Sequence, residues 1–141
     1  MKIPPRATLN DLEAISDDES EPTSVLGATI RRHRRTPVEH LGAEALRFLL
    51  DEGESVPVVL RVALDRLEQD HFVAGDFYRG DLLVAALQQP ATVWNGEPEL
   101  RARAFALVAD VERELMRLEV ADREIVQRAI GGFRNLWPAW N

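Results

Sequence analysis

The chain has 141 residues, 24 acidic against 17 basic side chains for a net charge of −7, 45% apolar residues and no cysteine. Its length and apolar content suit one globular domain with a packed core and argue against wholesale disorder. The missing cysteines exclude disulfides, iron–sulfur clusters, thiolate zinc sites and a cysteine nucleophile, and the acidity sets the chain against a nucleic-acid phosphate backbone.

The first residues, Met1-Lys2-Ile3-Pro4-Pro5-Arg6, carry charge without an apolar stretch behind it, so no secretory signal is expected. No apolar run approaches the roughly 20 residues that span a bilayer, and a cytoplasmic location follows as the expectation. Thr8 is placed to cap a short helix over residues 8–15, with Leu9, Leu12 and Ile15 on one face. Ser16 to Ser24 is acidic and aperiodic and reads as a solvated loop, while Val25 to Ile30 fits either extended structure or packed loop. Ala43, Leu46, Leu49 and Leu50 mark a helix that Gly53 stops. The next helix is marked by Val56, Val59, Leu60, Ala63, Leu64 and Leu67, with Pro57 in its first turn.

Residues 75–83 join a glycine-bounded turn to a helix that runs to about Gln89, where Pro90 ends it. Trp94 ends a helical turn and reads as core. A long helix is expected over residues 98–119 and a last one from about Asp122 to Leu136, weakened by Gly131-Gly132. Strand alternation is absent beyond a few positions. The expected fold is all-α, an irregular single-domain bundle of about five to seven helices over residues 1–141, with residues 1–7 and 137–141 as peripheral tails.

The residues offer little for catalysis. His33, His40 and His71 form no HExxH pair or other ligand spacing, so neither a metal nor a cofactor is expected. There is no GxSxG elbow and no GxxxxGK phosphate loop, and nothing singles out one carboxylate pair for acid–base work. An enzyme is therefore not expected. Arg31-Arg32-His33-Arg34-Arg35 is the one local argument for nucleic acid, as a regulator contacting successive phosphates. Against it stand the absence of aromatic residues between positions 25 and 40, the acidic loop upstream and the overall charge, which favour a solvated or internally paired segment. Trp137 and Trp140 flank Pro138 and either fold back on the bundle or stay available to a partner.

Residues 74–87, Ala-Gly-Asp-Phe-Tyr-Arg-Gly-Asp-Leu-Leu-Val-Ala-Ala-Leu, resemble the Gly-Asp-Phe-Tyr-x-Gly-Asp-Leu-Leu signature of contact-dependent growth inhibition immunity proteins. Thr8-Leu9-x-x-Leu12, Arg34-Arg35-x-Pro37, Glu44-x-Leu46-Arg47 and Pro57-x-x-Leu60-x-x-Ala63-Leu64-x-x-Leu67 precede it in the family's order. Trp94, Pro98-Glu99-Leu100 and the terminal helices follow, so the resemblance runs from about residue 8 to residue 134. Two departures are Asp51-Glu52-Gly53, where a glutamine-bearing turn would stand, and His71-Phe72, where an Asp-Pro-like pair is common. Both bear on partner specificity more than on fold.

The resemblance implies a cytoplasmic antitoxin that binds and neutralises the C-terminal toxin domain of a large effector, often a nuclease and expected to be basic. It implies no direct contact with nucleic acid or membrane. Within the signature, which includes Tyr78, a scaffold role is expected: Gly75 and Gly80 free the backbone, Asp76 and Asp81 cap N–H groups, and Phe77, Leu82 and Leu83 pack inward. The toxin-binding surface is then expected at the acidic turn Asp51, Glu52 and Glu54, with Asp70, Asp76 and Tyr78 beside it if the fold gathers these loops. Oligomeric state stays open.

Overall fold

Apolar residues spaced three and four apart can be buried together only on a helix, and the computed structural model, which describes residues 2–14 and 21–137, folds accordingly. The described residues form α1 (Leu9–Leu12), α2 (Val25–Arg34), α3 (Ala43–Glu52), α4 (Val56–Gln69), α5 (Asp81–Leu87), α6 (Ala91–Asn95), α7 (Pro98–Glu112) and α8 (Val120–Arg134). Two 3-10 turns, Val38–His40 and Leu115–Arg117, complete the set, and no strand occurs among the described residues. The all-α class is as expected. The described residues hold eight helices where five to seven were expected, because α2 buries no residue fully and α6 has only 5 residues, too few for periodicity to register.

Local chemistry explains most boundaries. Thr8 Oγ1 accepts from the Asp11 amide at 3.1 Å while Asp11 Oδ2 accepts from the Thr8 amide at 3.0 Å, a reciprocal cap on α1. Gly53 ends α3 at φ 73°, and Pro57 and Pro98 sit in the first turns of α4 and α7. The stretch from Val25 is neither extended nor loop: Ser24 Oγ accepts from the Gly27 amide at 2.9 Å and starts α2. Its pattern was weak because α2 buries no residue fully, and Val25 stays 85% exposed. The helix expected to reach residue 119 stops at Glu112, and Arg123 of α8 fastens the following 3-10 turn by donating to the Leu115 and Leu118 carbonyls. Helix α8 passes through Gly131-Gly132 without a break. Of the loop expected at residues 16–24, residues 16–20 lie outside the described residues.

Helix α5 is the centre. Every residue from Asp81 to Leu87 is buried, and α3, α4 and α8 pack around it. Leu46, Leu49, Leu60, Leu64 and Leu67 converge on Leu82, Leu83 and Leu87, each leucine contributing roughly 1.5–3 kcal/mol of burial. Trp94 is fully buried, as read from the sequence, against Phe133 with ring centroids 5.3 Å apart. Its indole donates to the Gln89 carbonyl at 3.1 Å, and the Gln89 side-chain Nε2 donates to the Ala85 and Leu50 carbonyls at 3.0 and 3.3 Å. Trp137 folds back on Phe133 and Phe105, at 4.8 and 5.1 Å; Trp140 lies outside the described residues.

Gly80 enters α5 at φ 95°, and a Cβ there would stand 3.0 Å from Val126 Cγ2 of α8. Gly80→Ala is therefore expected to lower stability by about 1–3 kcal/mol in urea unfolding. Gly132 is helical with open space around its Cα. Gly132→Ala is expected to raise stability by about 0.5–1 kcal/mol, so the two glycines should move the midpoint in opposite directions.

Candidate functional site

A carboxylate at the start of a wholly buried helix must find hydrogen-bond donors inside the protein, because leaving it bare costs several kcal/mol. Asp81 is 3% exposed and turns back on the preceding loop. Its Oδ1 accepts from the Gly75 amide at 2.6 Å and its Oδ2 from the Phe77 amide at 3.1 Å. The amide between them, Asp76, donates to Glu44 Oε1 of α3 at 2.9 Å. Three successive N–H groups are thus held by two carboxylates from two helices. Two further bonds close the loop, from the Asp81 amide to the Tyr78 carbonyl at 3.1 Å and from the Gly80 amide to the Phe72 carbonyl at 3.2 Å.

Glu44 is itself held. Arg47, one turn on, donates from Nε at 2.7 Å and from Nη2 at 2.5 Å, and reaches Asp51 Oδ2 with Nη1 at 2.5 Å. The Arg47 hydrogen bond keeps the Glu44 carboxyl below the ordinary carboxylate range, against the opposing effect of burial. Gly75 is required by this closeness: a Cβ would stand 2.6 Å from Glu44 Oε1 and 3.1 Å from its Cα.

The side chain of Phe77 is the outcome. It was expected to pack inward, but it is 69% exposed, lying over the Arg47 guanidinium at 4.5 Å. With the amides of residues 75–77 pulled inward, the Phe77 ring is left outside. The other signature expectations divide. Leu82 and Leu83 are fully buried, Gly80 takes a positive φ, and Asp81 caps as foreseen. The Asp76 side chain caps nothing among the described residues; its own amide is the group that is bound.

Arg47, Asp51, Phe77, Tyr78 and Gln88 border a shallow cleft of about 230 Å³, floored by Val84 and Ala85. Tyr78 is half-buried, and its phenol is pushed up first by burial and then by Asp81, Asp51 and Asp122. Of the six residues expected at a binding surface, Asp51 and Tyr78 meet in this cleft, Asp76 is exposed beside Phe77, and Glu52 is exposed next to Asp51 at the end of α3. Glu54 pairs instead with Arg34 at 3.4 Å, and Asp70 caps α4 without lining the cleft. Phe77 is the member that sequence reasoning misplaced. Its own amide is one of the two that Asp81 binds, a pairing that sets its backbone.

The arginine run lies on α2. Arg34 is spent inside the protein: Nε donates to Asn10 at 2.8 Å, Nη1 to Ser55 at 2.6 Å and to Glu54, and Nη2 to Glu13. This is the internally paired reading for Arg34. Burial would raise the Glu13 carboxyl, but hydrogen bonds from Ser55 and Arg34 outweigh it and hold it low. His33 stacks edge-on against Phe48 at 5.6 Å and His71 pairs with Glu114. Among the described residues no group of three His, Asp or Glu is placed to hold a metal ion, and no helix is long and apolar enough to cross a membrane.

A family model described as CDI immunity proteins matches residues 11–104, a segment that contains α3, the 75–80 loop and α5. Comparisons with curated proteins and with solved structures return no match.

Asp81→Asn exchanges one acceptor oxygen for an NH2 that opposes a backbone donor. We expect a loss of about 2–4 kcal/mol and faster hydrogen exchange at the Gly75 and Phe77 amides. Glu44, depressed in the folded state, stabilises the loop fully above the ordinary carboxylate range near pH ~4 and loses that contribution as pH falls through its lower folded value. The Asp76 amide resonance should report this acid transition, and Glu44→Gln should abolish it.

Proposed function

The chain belongs to the family of CDI immunity proteins, and from that premise we propose that it binds the toxic C-terminal domain of a contact-dependent growth inhibition effector in the cytoplasm and blocks its activity by occupying it. The reading requires complementarity to a surface and no bond chemistry of its own. What carries the docking face is Phe77, a large apolar ring held outside on a backbone that two internal carboxylates fix.

A ring of this size gains free energy when an interface covers it. Burying it is worth roughly 1.5–3 kcal/mol, and a loop already ordered in the free protein adds little entropy cost on binding. Tyr78, Asp51 and Asp76 surround it with the aromatic and acidic groups that suit a basic partner. The net charge of −7 supports the same partner, because a toxin that handles nucleic acid presents a cationic cleft, and opposite charge speeds encounter. A nuclease is accordingly the toxin class we favour. The competing use of the arginine run for nucleic acid is weakened by the withdrawal of Arg34 into internal bonds.

Coexpression with the toxin domain encoded beside the gene should rescue growth, and the purified pair should form a one-to-one complex at nanomolar affinity or tighter, about −12 kcal/mol. Phe77→Ala should weaken that complex tenfold or more while changing the chain's own stability by no more than about 0.5 kcal/mol. Failure of rescue and of complex formation with every neighbouring effector domain would refute the proposal.

A further inference from the structure

The cleft beside Phe77 has a chemistry more specific than a general docking face. We propose that it is a receptor for a single arginine side chain of the partner, with the guanidinium stacked on the Phe77–Tyr78 wall and hydrogen-bonded to Asp51 and Gln88. This inference rests on the toxin-binding reading and names the group that the toxin would insert.

Size is the first constraint. At about 230 Å³ the cleft falls below the range of roughly 300–1,000 Å³ typical of small-molecule sites, but it admits one long side chain. Its floor is the apolar surface of Val84 and Ala85 on the buried helix α5, suited to the methylene stem of such a chain.

Charge is the second. Asp81, Asp51 and Asp122 act on Tyr78 in the cleft, against the guanidinium of Arg47, which Glu44 also faces. Arg47 and Glu44 neutralise each other, and Asp81 is committed to two amides. Asp122 forms no ion pair among the described residues, and Asp51 gives Arg47 only its Oδ2. A cation is what the balance lacks, and an anion would meet the Asp51 and Asp81 carboxylates in the lining.

Uncommitted polar groups are the third. Tyr78 and Gln88 both border the cleft, and their side chains make no hydrogen bond among the described residues. Together with Asp51 Oδ1 they offer three acceptors around an aromatic wall. A guanidinium has five donors in a plane and a weakly hydrated face that stacks on rings, whereas an ammonium has neither the plane nor the face. The stacking mode is already present here, since Arg47 covers the Phe77 ring at 4.5 Å while most of that ring stays exposed.

The intact chain can be titrated by NMR with N-acetyl-arginine amide, with the lysine and citrulline equivalents as cationic and neutral controls. Expected are saturable shifts at Tyr78 and Gln88, with arginine binding at least fivefold tighter than either control, and loss of that preference in Asp51→Asn. Equal responses to all three probes, or shifts confined to other surfaces, would overturn the proposal. In the toxin complex, Asp51→Asn and Tyr78→Phe should each weaken binding at least fivefold, and Asp51→Asn should show coupling to one toxin arginine. A toxin complex indifferent to both variants within twofold removes the arginine receptor and leaves immunity standing. Arginine-selective binding with no toxin partner would uphold the receptor's chemistry and refute immunity, so the two failures are separable.

Discussion

Asp81 occupies the first position of a helix whose every residue is buried, and the need to answer its charge organises what surrounds it. A carboxylate there has no water to turn to, so it recruits the nearest backbone donors, the Gly75 and Phe77 amides. That recruitment draws the chain into a tight loop immediately ahead of α5. Glu44 completes the arrangement by taking the one amide that Asp81 cannot reach. The signature glycines then follow from the same constraint: Gly75 because Glu44 leaves no room for a Cβ, Gly80 because the chain must turn into α5 with a positive φ against Val126.

The loop therefore joins a buried scaffold to an exposed aromatic ring. Helices α3 and α5 supply the two carboxylates, Arg47 links Glu44 to Asp51, and its guanidinium doubles as the platform for Phe77. Signature residues commonly mark either scaffold or surface. Here the two roles are divided within three consecutive positions, since the amides of residues 75–77 serve the fold while the Phe77 side chain faces solvent. A partner meeting this face would find it already ordered, which lowers the entropic cost of association.

The basic run shows how tertiary structure reassigns charge. Four arginines within five residues suggest phosphate binding when read alone, yet Arg34 ties α1 to α2 and to the turn before α4 through Asn10, Glu13, Glu54 and Ser55. Ser55 holds a left-handed backbone at φ 50°, a conformation costing roughly 1–2 kcal/mol for a residue with a Cβ, and its hydroxyl is gripped by both Arg34 and Glu13. Acidic and basic side chains elsewhere are also joined across helices, as Arg103 is to Asp65 and Glu68 and Arg134 is to Glu112. The net charge is thus a poor guide to where acidity is free, and Asp76, Glu52 and Asp122 are carboxylates that no ion pair commits among the described residues.

Periodicity determined the helices that bury a clean stripe. Leu46, Leu49 and Leu50, or Leu60, Leu64 and Leu67, announce α3 and α4, and capping residues such as Thr8, Gly53 and Pro57 mark their ends by chemistry local to a few positions. Helix α2 escaped because it lies on the periphery and buries no residue fully, and the end of α7 escaped because Arg123, on the next helix, fastens the turn that follows. The signature and its family were also legible, because they reside in the order of residue types. The outward turn of Phe77 was not. It depends on Glu44, 32 positions from the Asp76 amide it binds, and on a buried carboxylate whose need for donors arises only once α5 is enclosed. Charge and spacing are properties of the chain, but which groups are desolvated together is decided by packing, and that desolvation sets the site.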